Sequence, residues 1–139
     1  MDTVALRLHP GDDLRLALEA RARAEGWSAA FVVAGIGSLS QAALRLAGQP
    51  AALPWAGDLE LLSLAGSLGP DSAHLHATVA DATGAVRGGH VCAGCRVRTT
   101  LELLVALLPA QRFSRRHDPV TGYPELVVEP LVPGPFTGV

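Results

Sequence analysis

The sequence contains no lysine: all 11 of its basic residues are arginines, and 13 acidic residues give a formal net charge of −2. A chain with this balance offers no basic field that would concentrate it on a phosphate backbone. Strong non-specific DNA binding is therefore disfavoured. We attribute the arginine bias to a GC-rich bacterial genome.

The sequence also has few cysteines and no long apolar run. Its two cysteines, Cys92 and Cys95, lie three positions apart, unlike the even and dispersed set of a secreted disulfide scaffold. No basic segment followed by an apolar segment opens the chain, and no apolar run approaches about 18 residues. We therefore expect a cytoplasmic protein without a membrane segment.

The chain has the size of one globular domain. Its 139 residues, 49% of them hydrophobic, are enough to bury a core without disulfide bonds. Three prolines near the end, Pro130, Pro133 and Pro135, indicate an extended segment. We therefore predict a single domain over residues 1–130 and a proline-rich C-terminal tail over residues 131–139.

One amphipathic helix is predicted near the N-terminus. Asp12 and Asp13 can cap its start, it runs to about Glu25, and Gly26 suits the position after its end. Apolar residues recur at positions i, i+4 and i+8, which places them on one face: Leu14, Leu18 and Ala22. Such a helix is expected to pack on a β-sheet.

Strands are predicted over most of the remaining chain. The predicted segments are bounded by Gly, Pro or Asp turns and are 3–8, 28–36, 40–46, 58–64, 73–80, 86–97 and 123–128. The 28–36 segment is so apolar that it predicts a strand covered on both faces and ended by Gly37-Ser38. Residues 47–57 are predicted as a loop. Residues 99–108 fit either a strand or a second short helix.

Three histidines are predicted to share one face of a hairpin. His74 and His76 alternate along a strand, so both side chains lie on the same side. Residues 81–84 (D-A-T-G) suit a type I turn with a bulge at the glycine, which sets His76 opposite His90. Three neutral imidazoles on adjacent strands could hold Zn²⁺ or another divalent transition metal.

Alternatives to this register stay open. A bulge at Gly88-Gly89, or a turn with two central residues, would move His90 to the other face. The histidines could also be half-buried strand residues hydrogen-bonded to neighbours. The same register places Cys92 opposite His74 as a candidate fourth ligand. Cys95 faces away and is expected to be a buried apolar thiol rather than half of a redox pair.

Two carboxylates and a basic cluster are further candidates. Glu60 and Glu102 lie in apolar segments, where either could be a general base beside a metal or could pair with an arginine. A basic cluster near Phe113 could bind a phosphate or carboxylate, or could form a solvated loop or a contact with a neighbouring subunit. The cluster comprises Arg112, Arg115, Arg116 and His117.

Six short motifs occur in the order and spacing of one known family. They are L-H-P-G-D-D at 8–13, G-I-G-S-L at 35–39, E-L-L-S-L-A-G at 60–66, H-L-H at 74–76, G-G-H at 88–90 and T-G-Y at 121–123. Together they span nearly the whole chain, and the sequence resembles a stand-alone bacterial member of the PPC domain family.

This resemblance implies a fold, an assembly and a metal site. The implied fold is α/β of the α+β kind, built on a largely antiparallel β-sheet with few helices. The implied assembly is a homotrimer formed through sheet and loop contacts. Bacterial members that this sequence resembles hold a metal, usually zinc, with histidines that match His74, His76 and His90.

The resemblance also points to residues near the T-G-Y motif. The family keeps an Arg and an Asp just before that motif, and Arg115 or Arg116 and Asp118 resemble them, so a ligand or interface role is expected there. In plants the domain follows an AT-hook in nuclear DNA-associated proteins. Neither the Arg-Gly-Arg-Pro hook nor the plant Arg-Glu-Phe-Asn-Ala-Phe segment occurs in this sequence.

Three functions are compatible with these features. The first is a trimeric metal-binding module that is regulatory or binds a small molecule or protein partner. The second is a metal-dependent hydrolase or lyase acting on a small polar substrate, with Glu60 or Glu102 as general base. The third is direct DNA binding, the label often given to bacterial family members, which needs an arginine-rich surface in the assembled trimer.

Overall fold

Eight β-strands and one α-helix make up the computed structural model, which describes residues 2–131. In chain order they are β1 (Asp2–Leu8), α1 (Leu14–Glu25), β2 (Ala30–Arg45), β3 (Leu53–Leu68), β4 (Ala73–Ala80), β5 (Val86–Val91), β6 (Arg96–Leu107), β7 (Gln111–His117) and β8 (Pro124–Pro130). All of the strand pairs are antiparallel. The expected α+β fold with one main N-terminal helix is confirmed.

Six strands form one curled sheet. Their order is β1-β6-β2-β3-β4-β5, and the C-terminal end of β2 also pairs with β5, Leu44 with Val91 and Arg45 with His90. The sheet therefore bends until its last strand meets β2 again. Strands β7 and β8 form a separate hairpin, which is anchored by a hydrogen bond of 2.9 Å from the Phe113 N–H to the Ser28 carbonyl.

The apolar core lies between α1 and the inner face of the curled sheet. Buried and exposed positions alternate in β4, whose core residues are Ala73, Leu75, Ala77 and Val79. The predicted apolar stripe of α1 is fully buried, and consists of Leu14, Leu18 and Ala22. The other face of β4 is thereby left for polar side chains.

Both predicted ends of α1 are confirmed. Asp13 is the N-cap, and its carboxylate accepts a hydrogen bond of 3.2 Å from the Leu16 N–H. The other carboxylate oxygen of Asp13 accepts a hydrogen bond of 2.6 Å from the Gly94 N–H, which ties the helix start to the segment before β6. Gly26 ends the helix with a φ of +67°, in the left-handed region that favours glycine.

One long strand follows α1, where two shorter strands were predicted. Strand β2 runs through Gly37-Ser38 because Gly37 adopts a φ of +140°, and β2 continues to pair with β3 and β6. One face of β2 is accessible, since Phe31 is 38% and Val33 is 53% exposed. The predictions that this strand ends at Gly37-Ser38 and is covered on both faces are therefore wrong.

Residues 99–108 lie mainly in β6, and no second helix forms within residues 2–131. Strand β6 lies between β1 and β2, and its pairing with both neighbours overrides the helical spacing of its leucines. The predicted strand over residues 86–97 is divided, because β5 ends at Val91 and a turn leads into β6 at Arg96. The loop predicted over residues 47–57 ends early, since β3 begins at Leu53.

The predicted tail lies almost wholly outside the described residues. Strand β8 ends at Pro130, and the tail from residue 132 onward is not part of the description. Over the described range of 2–131, no helix has the length and apolar character needed to cross a membrane.

Gly37→Ala should destabilise the fold more than Gly57→Ala. The two glycines have φ values of +140° and +142°, so alanine is strained at both. A Cβ at Gly37 would lie 2.1 Å from the Thr100 carbonyl oxygen, whereas nothing lies within 4 Å of one at Gly57. In urea denaturation we expect the free energy of unfolding of Gly37→Ala to be lower by about 2 kcal/mol or more than that of Gly57→Ala. Equal losses would contradict this steric account.

Candidate metal centre

A tight turn joins β4 to β5 and sets the register between them. The Asp81 N–H donates to the Ala85 carbonyl, and the Gly84 N–H donates to the Asp81 carbonyl, both at 3.0 Å. The Asp81 carboxylate accepts hydrogen bonds from the Thr83 N–H at 2.8 Å and from the Thr83 hydroxyl at 2.6 Å. Gly84 has a φ of +83°. These contacts match the predicted three-residue loop with its left-handed glycine.

The register beyond the turn brings the histidines to one face, as predicted. Pairing continues without a further bulge, with Ala77 opposite Gly89 and His76 opposite His90. His74 lies two residues before His76 in the same strand, so both project from the side of β4 opposite the core. The alternative register, in which His90 faces the other way, does not occur.

The three imidazole rings form a compact triangle. Ring centroids are 5.0 Å apart for His74 and His76, 5.1 Å for His74 and His90, and 5.7 Å for His76 and His90. One ligand nitrogen of each ring lies within 4.8 Å of those of the other two. Small side-chain rotations would bring all three to one ion, because zinc–imidazole bonds are about 2.0–2.1 Å long.

A glycine allows the strand that carries His90 to approach β2 closely. A Cβ at Gly89 would lie 2.8 Å from the Arg45 carbonyl oxygen, and glycine avoids this clash. Arg45 is also the residue of β2 that pairs with His90. The G-G-H motif therefore sets His90 against the end of β2, where its ring is half-buried.

Burial favours the neutral form of two of the histidines. The pKa of His90 is lowered to about 4, mainly by desolvation and to a smaller extent by the charges of His74 and Arg45. The pKa of His74 is also lowered, mainly by desolvation and then by the Arg115 guanidinium, while Glu125 acts in the opposite direction. A metal ion binds the neutral imidazole, so this environment prepares both rings for coordination.

One nitrogen of the triangle has no hydrogen-bond partner. The Nδ1 atom of His90 is buried and makes no hydrogen bond within residues 2–131. A buried polar atom without a partner costs about 1–3 kcal/mol, and coordination or a bound solvent molecule would remove that cost. The three imidazole nitrogen donors therefore fit a transition-metal ion.

A surface cavity of about 380 Å³ opens beside His74 and His76. Arg115 of β7 borders this cavity, and its Nη2 atom donates a hydrogen bond of 2.6 Å to the Ser67 hydroxyl. Glu125 of β8 also borders it and is the carboxylate of the lining. The β7–β8 hairpin thus adds a cation and an anion to the histidine cluster.

Neither cysteine joins the histidines. The pairing of β4 with β5 stops at His90, and the Cys92 N–H donates to the Ala43 carbonyl at 3.0 Å. The prediction that Cys92 lies opposite His74 is wrong, and the cluster of ligand atoms does not include its sulfur. Cys95 is 1% exposed, and burial raises the pKa of its thiol to about 11, as predicted for a buried apolar cysteine.

The two carboxylates predicted as candidate general bases lie away from the histidines. Glu60 pairs with Ala80, which is four residues along β4 from His76, or roughly 13 Å. Glu102 lies on β6, with β2 and β3 between it and β4, and it stands opposite Arg7 of β1. Neither carboxylate is placed to act on a ligand at the histidines.

Arg115 is the residue of the basic cluster that borders the cavity. Arg116 follows it in β7 and forms an exposed ion pair of 2.6 Å with Glu129. The Asp118 carboxylate accepts a hydrogen bond of 2.7 Å from the Val120 N–H and so helps to close the turn between β7 and β8. Arg116 and Asp118 therefore have structural contacts of their own.

Sequence reasoning missed several residues that line the cavity with the histidines, among them Phe31, Ser67 and Glu125. Phe31 of β2 stands opposite Ser67 of β3, and Ser67 stands opposite His74 of β4. Phe31, Ser67 and His74 therefore form one row across the three strands. Extending β3 past residue 64 to pair with β4 would have found Ser67. Glu125 carries no such local signal, because its position depends on how the β7–β8 hairpin packs on the sheet.

The same domain occurs in proteins of known sequence. The profile of the Plants and Prokaryotes Conserved (PCC) domain matches residues 1–109. The bifunctional protein GlmU of Synechococcus sp. (strain JA-2-3B'a(2-13)) is 51% identical over 130 residues, which are 94% of this chain and 21% of that protein. The chain therefore spans about a fifth of the length of the curated relatives it matches.

Solved structures share the fold over nearly the whole chain. A hypothetical protein from Salmonella cholerae-suis (Salmonella enterica) has a TM-score of 0.92 and 41% identity, covering 94% of this chain and 95% of its own. A metal-containing protein from Archaeoglobus fulgidus has a TM-score of 0.78 and 27% identity, with coverages of 91% and 94%. A candidate DNA-binding protein from Ralstonia eutropha JMP134 has a TM-score of 0.71 and 30% identity, with coverages of 90% and 89%.

The metal-free domain should lose stability as the pH falls from about 6.5 toward 4. The pKa of His90 is about 4 in the fold against an ordinary value of 6.5, so within this window the unfolded chain binds more protons than the folded one and unfolding is favoured. Urea denaturation across the window should show falling free energies of unfolding. The decrease with falling pH should be smaller in His90→Gln. It should be unchanged in His117→Gln, a control at a histidine outside the cluster. If the free energy of unfolding of His90→Gln fell with pH as steeply as that of the unaltered chain, His90 would not be the source of the pH dependence.

Proposed function

This chain belongs to the Plants and Prokaryotes Conserved domain family, and we propose that it is a metal-dependent regulatory or ligand-binding domain. In this proposal His74, His76 and His90 hold one divalent transition-metal ion, with Zn²⁺ as the preferred ion. The observation that carries the proposal is the convergence of three imidazole nitrogens within 4.8 Å of one another. A small molecule bound at the ion is the expected ligand.

The ligand set and its surroundings support this proposal. Imidazole nitrogen suits zinc, copper, iron and nickel, and a tetrahedral zinc with three protein ligands keeps a fourth position for a ligand. The cavity beside His74 and His76 gives a small molecule access to that position. In addition, the Archaeoglobus relative, at 27% identity, is described as metal-containing.

Different residues of this chain would have different roles at such a metal site. A bound ion would supply Lewis acidity, polarising an oxygen of the ligand. His90 is held against β2 by the close approach at Gly89. Ser67 accepts a hydrogen bond from Arg115 and orients it along the cavity wall. Glu125 lies on the same wall and is available to hold or move a proton.

A homotrimer in the cytoplasm is part of the proposal. Large apolar side chains are exposed on three strands of the sheet, where association would cover them. They are Phe31, Val33, Ile36, Leu62 and Leu104. Cys92 and Cys95 are free thiols, which suits a reducing compartment. Because the Synechococcus relatives contain the same domain in a much longer chain, we infer that it can act as a module beside other domains.

A metal-dependent hydrolase or lyase is the second candidate function. The observation that favours it is Glu125, a carboxylate in the cavity that His74 and His76 border. An acid or base beside a metal is what hydrolysis or elimination on a small polar substrate requires. Glu125 takes the role for which the sequence had suggested Glu60 or Glu102.

DNA binding receives less support from the charge distribution. It rests on the description of relatives such as the Ralstonia protein. The net charge of the chain is −2, and four arginines are paired with carboxylates in the described part of the chain: Arg15, Arg21, Arg98 and Arg116. We therefore propose a small ligand rather than a nucleic acid.

Purified protein should contain one zinc ion per chain. We expect elemental analysis after zinc reconstitution to give this ratio for the unaltered protein and for Cys92→Ser, because the sulfur lies outside the cluster. His76→Ala should lose most of the zinc, since two imidazoles hold the ion far less tightly than three. His117→Ala is the matched control and should keep it. Zinc retained by His76→Ala would contradict the three-histidine site.

Turnover, if the second candidate holds, should depend on Glu125. A general base contributes about 10²–10⁴ to rate, so Glu125→Gln should lower kcat for small carboxylic and phosphate esters by about a hundredfold or more at unchanged zinc content. Glu102→Gln, on a distant strand, should leave kcat unchanged. No turnover by the zinc-loaded protein, or equal kcat in both variants, would rule out this catalytic reading.

Light scattering should give a mass of three times 14.4 kDa. Val33→Glu should shift that mass toward a single chain, because it places a charge among the exposed apolar residues of β2 that association would bury. Val120→Glu, on a more exposed valine in the turn after β7, is the control and should leave the mass unchanged. A monomeric unaltered protein would remove the trimer from the proposal.

A further inference from the structure

The cavity beside the histidines contains an arginine whose placement is fixed by the sheet. Ser67 stands opposite His74 in the β3–β4 register. Arg115 reaches from β7 to donate a hydrogen bond of 2.6 Å to that serine. Ser67 is buried and Arg115 is half-buried. The guanidinium is thereby held on the same side of the sheet as the histidines.

Arg115 forms no ion pair with a carboxylate in the described part of the chain. Within residues 2–131, no Asp or Glu oxygen lies within 4.0 Å of its guanidinium nitrogens, whereas its neighbour Arg116 is paired with Glu129. A guanidinium has five N–H donors in a planar fork, and Ser67 takes one of them. Taking a cation partly out of water without a counterion is costly, so this position favours an anion in the cavity.

The charged groups that line the cavity are the Arg115 guanidinium and the Glu125 carboxylate, and the two do not form an ion pair with each other. A metal ion would add further positive charge, so the cavity favours a ligand that carries a negative group.

Part of the cavity lining is apolar. Phe31 borders the cavity and packs edge-on against Phe113, with ring centroids 5.7 Å apart at 85°. Phe113 is buried, with 4% of its surface exposed, and Leu126, the ladder partner of Arg115, adds to the apolar lining. At about 380 Å³ the cavity has the size of a site for a small metabolite.

We propose that the ligand is a small molecule with a carboxylate or phosphate group, and that Arg115 binds this group while the rest of the molecule lies between Phe31 and the metal ion. This inference rests on the proposed metal function of the same site. Arg115 supplies a fork of N–H donors that matches two oxygens of either anion. Ser67 is a positioning residue that orients the fork.

The test is calorimetric titration of the zinc-loaded protein with inorganic phosphate and, separately, with succinate. The unaltered protein should bind at least one of them with a Kd of about 1 mM or tighter. Arg115→Gln should weaken that binding about tenfold or more while keeping its zinc. Arg112→Gln, at an exposed arginine three residues before Arg115 on β7, is the matched control and should bind like the unaltered protein. The tighter of the two probes identifies the anionic group.

Two results would overturn the inference while leaving the metal site intact: neither anion binding to the zinc-loaded protein, or Arg115→Gln binding as tightly as the unaltered protein. Failure to bind zinc at all is a separate result that ends the proposed function. In that case the same comparison is made on the metal-free protein, where tenfold weaker binding by Arg115→Gln still supports anion recognition and equal binding refutes it.

Discussion

The register of the β4–β5 hairpin is the constraint on which the candidate site depends. The Asp81 carboxylate and the left-handed Gly84 fix the turn, and the ladder that follows places His76 directly opposite His90. Side chains alternate in a strand, so a slip of one residue would send His90 to the other face and divide the cluster. A hydrogen-bonded turn at the far end of the hairpin therefore determines which nitrogens can share an ion.

Strand β2 and the β7–β8 hairpin supply the remaining surroundings of the histidines. Gly89 lets β5 approach the Arg45 carbonyl, so the curled sheet closes on the strand that carries His90. The β7–β8 hairpin then covers part of the outer face and brings Arg115 to Ser67 and Glu125 to the cavity. Histidines, cation and carboxylate thus come from distant parts of the chain onto one side of the sheet.

Local patterns were sufficient for the part of the site that lies in one hairpin. The turn residues and the period of two predicted His74, His76 and His90 on one face, because all of the contacts involved are close in sequence. The position of Cys92 could not be predicted in this way, because its N–H donates to the Ala43 carbonyl of β2 and it does not pair with β4. A hydrogen bond between segments that are far apart in the chain cannot be predicted from the local sequence pattern.

The type of β6 and the carboxylate of the cavity could not be predicted from the sequence, because both depend on contacts between distant parts of the chain. Leucine spacing in residues 99–108 fits a helix and a strand alike, and pairing with β1 and β2 on both edges decides for the strand. Glu60 and Glu102 were candidates for catalysis because they lie in apolar segments, yet the strand pairing places both of them far from the histidines. Glu125 is part of the cavity through tertiary packing alone.

The three-histidine centre is tested most directly by an anomalous difference map, recorded at the zinc absorption edge from crystals of the zinc-reconstituted protein. We predict one peak per chain at about 2.0–2.1 Å from a nitrogen of each of His74, His76 and His90, on the side of the cavity that Arg115 borders. A peak at Cys92, or no peak between the three imidazoles, would contradict the proposed centre.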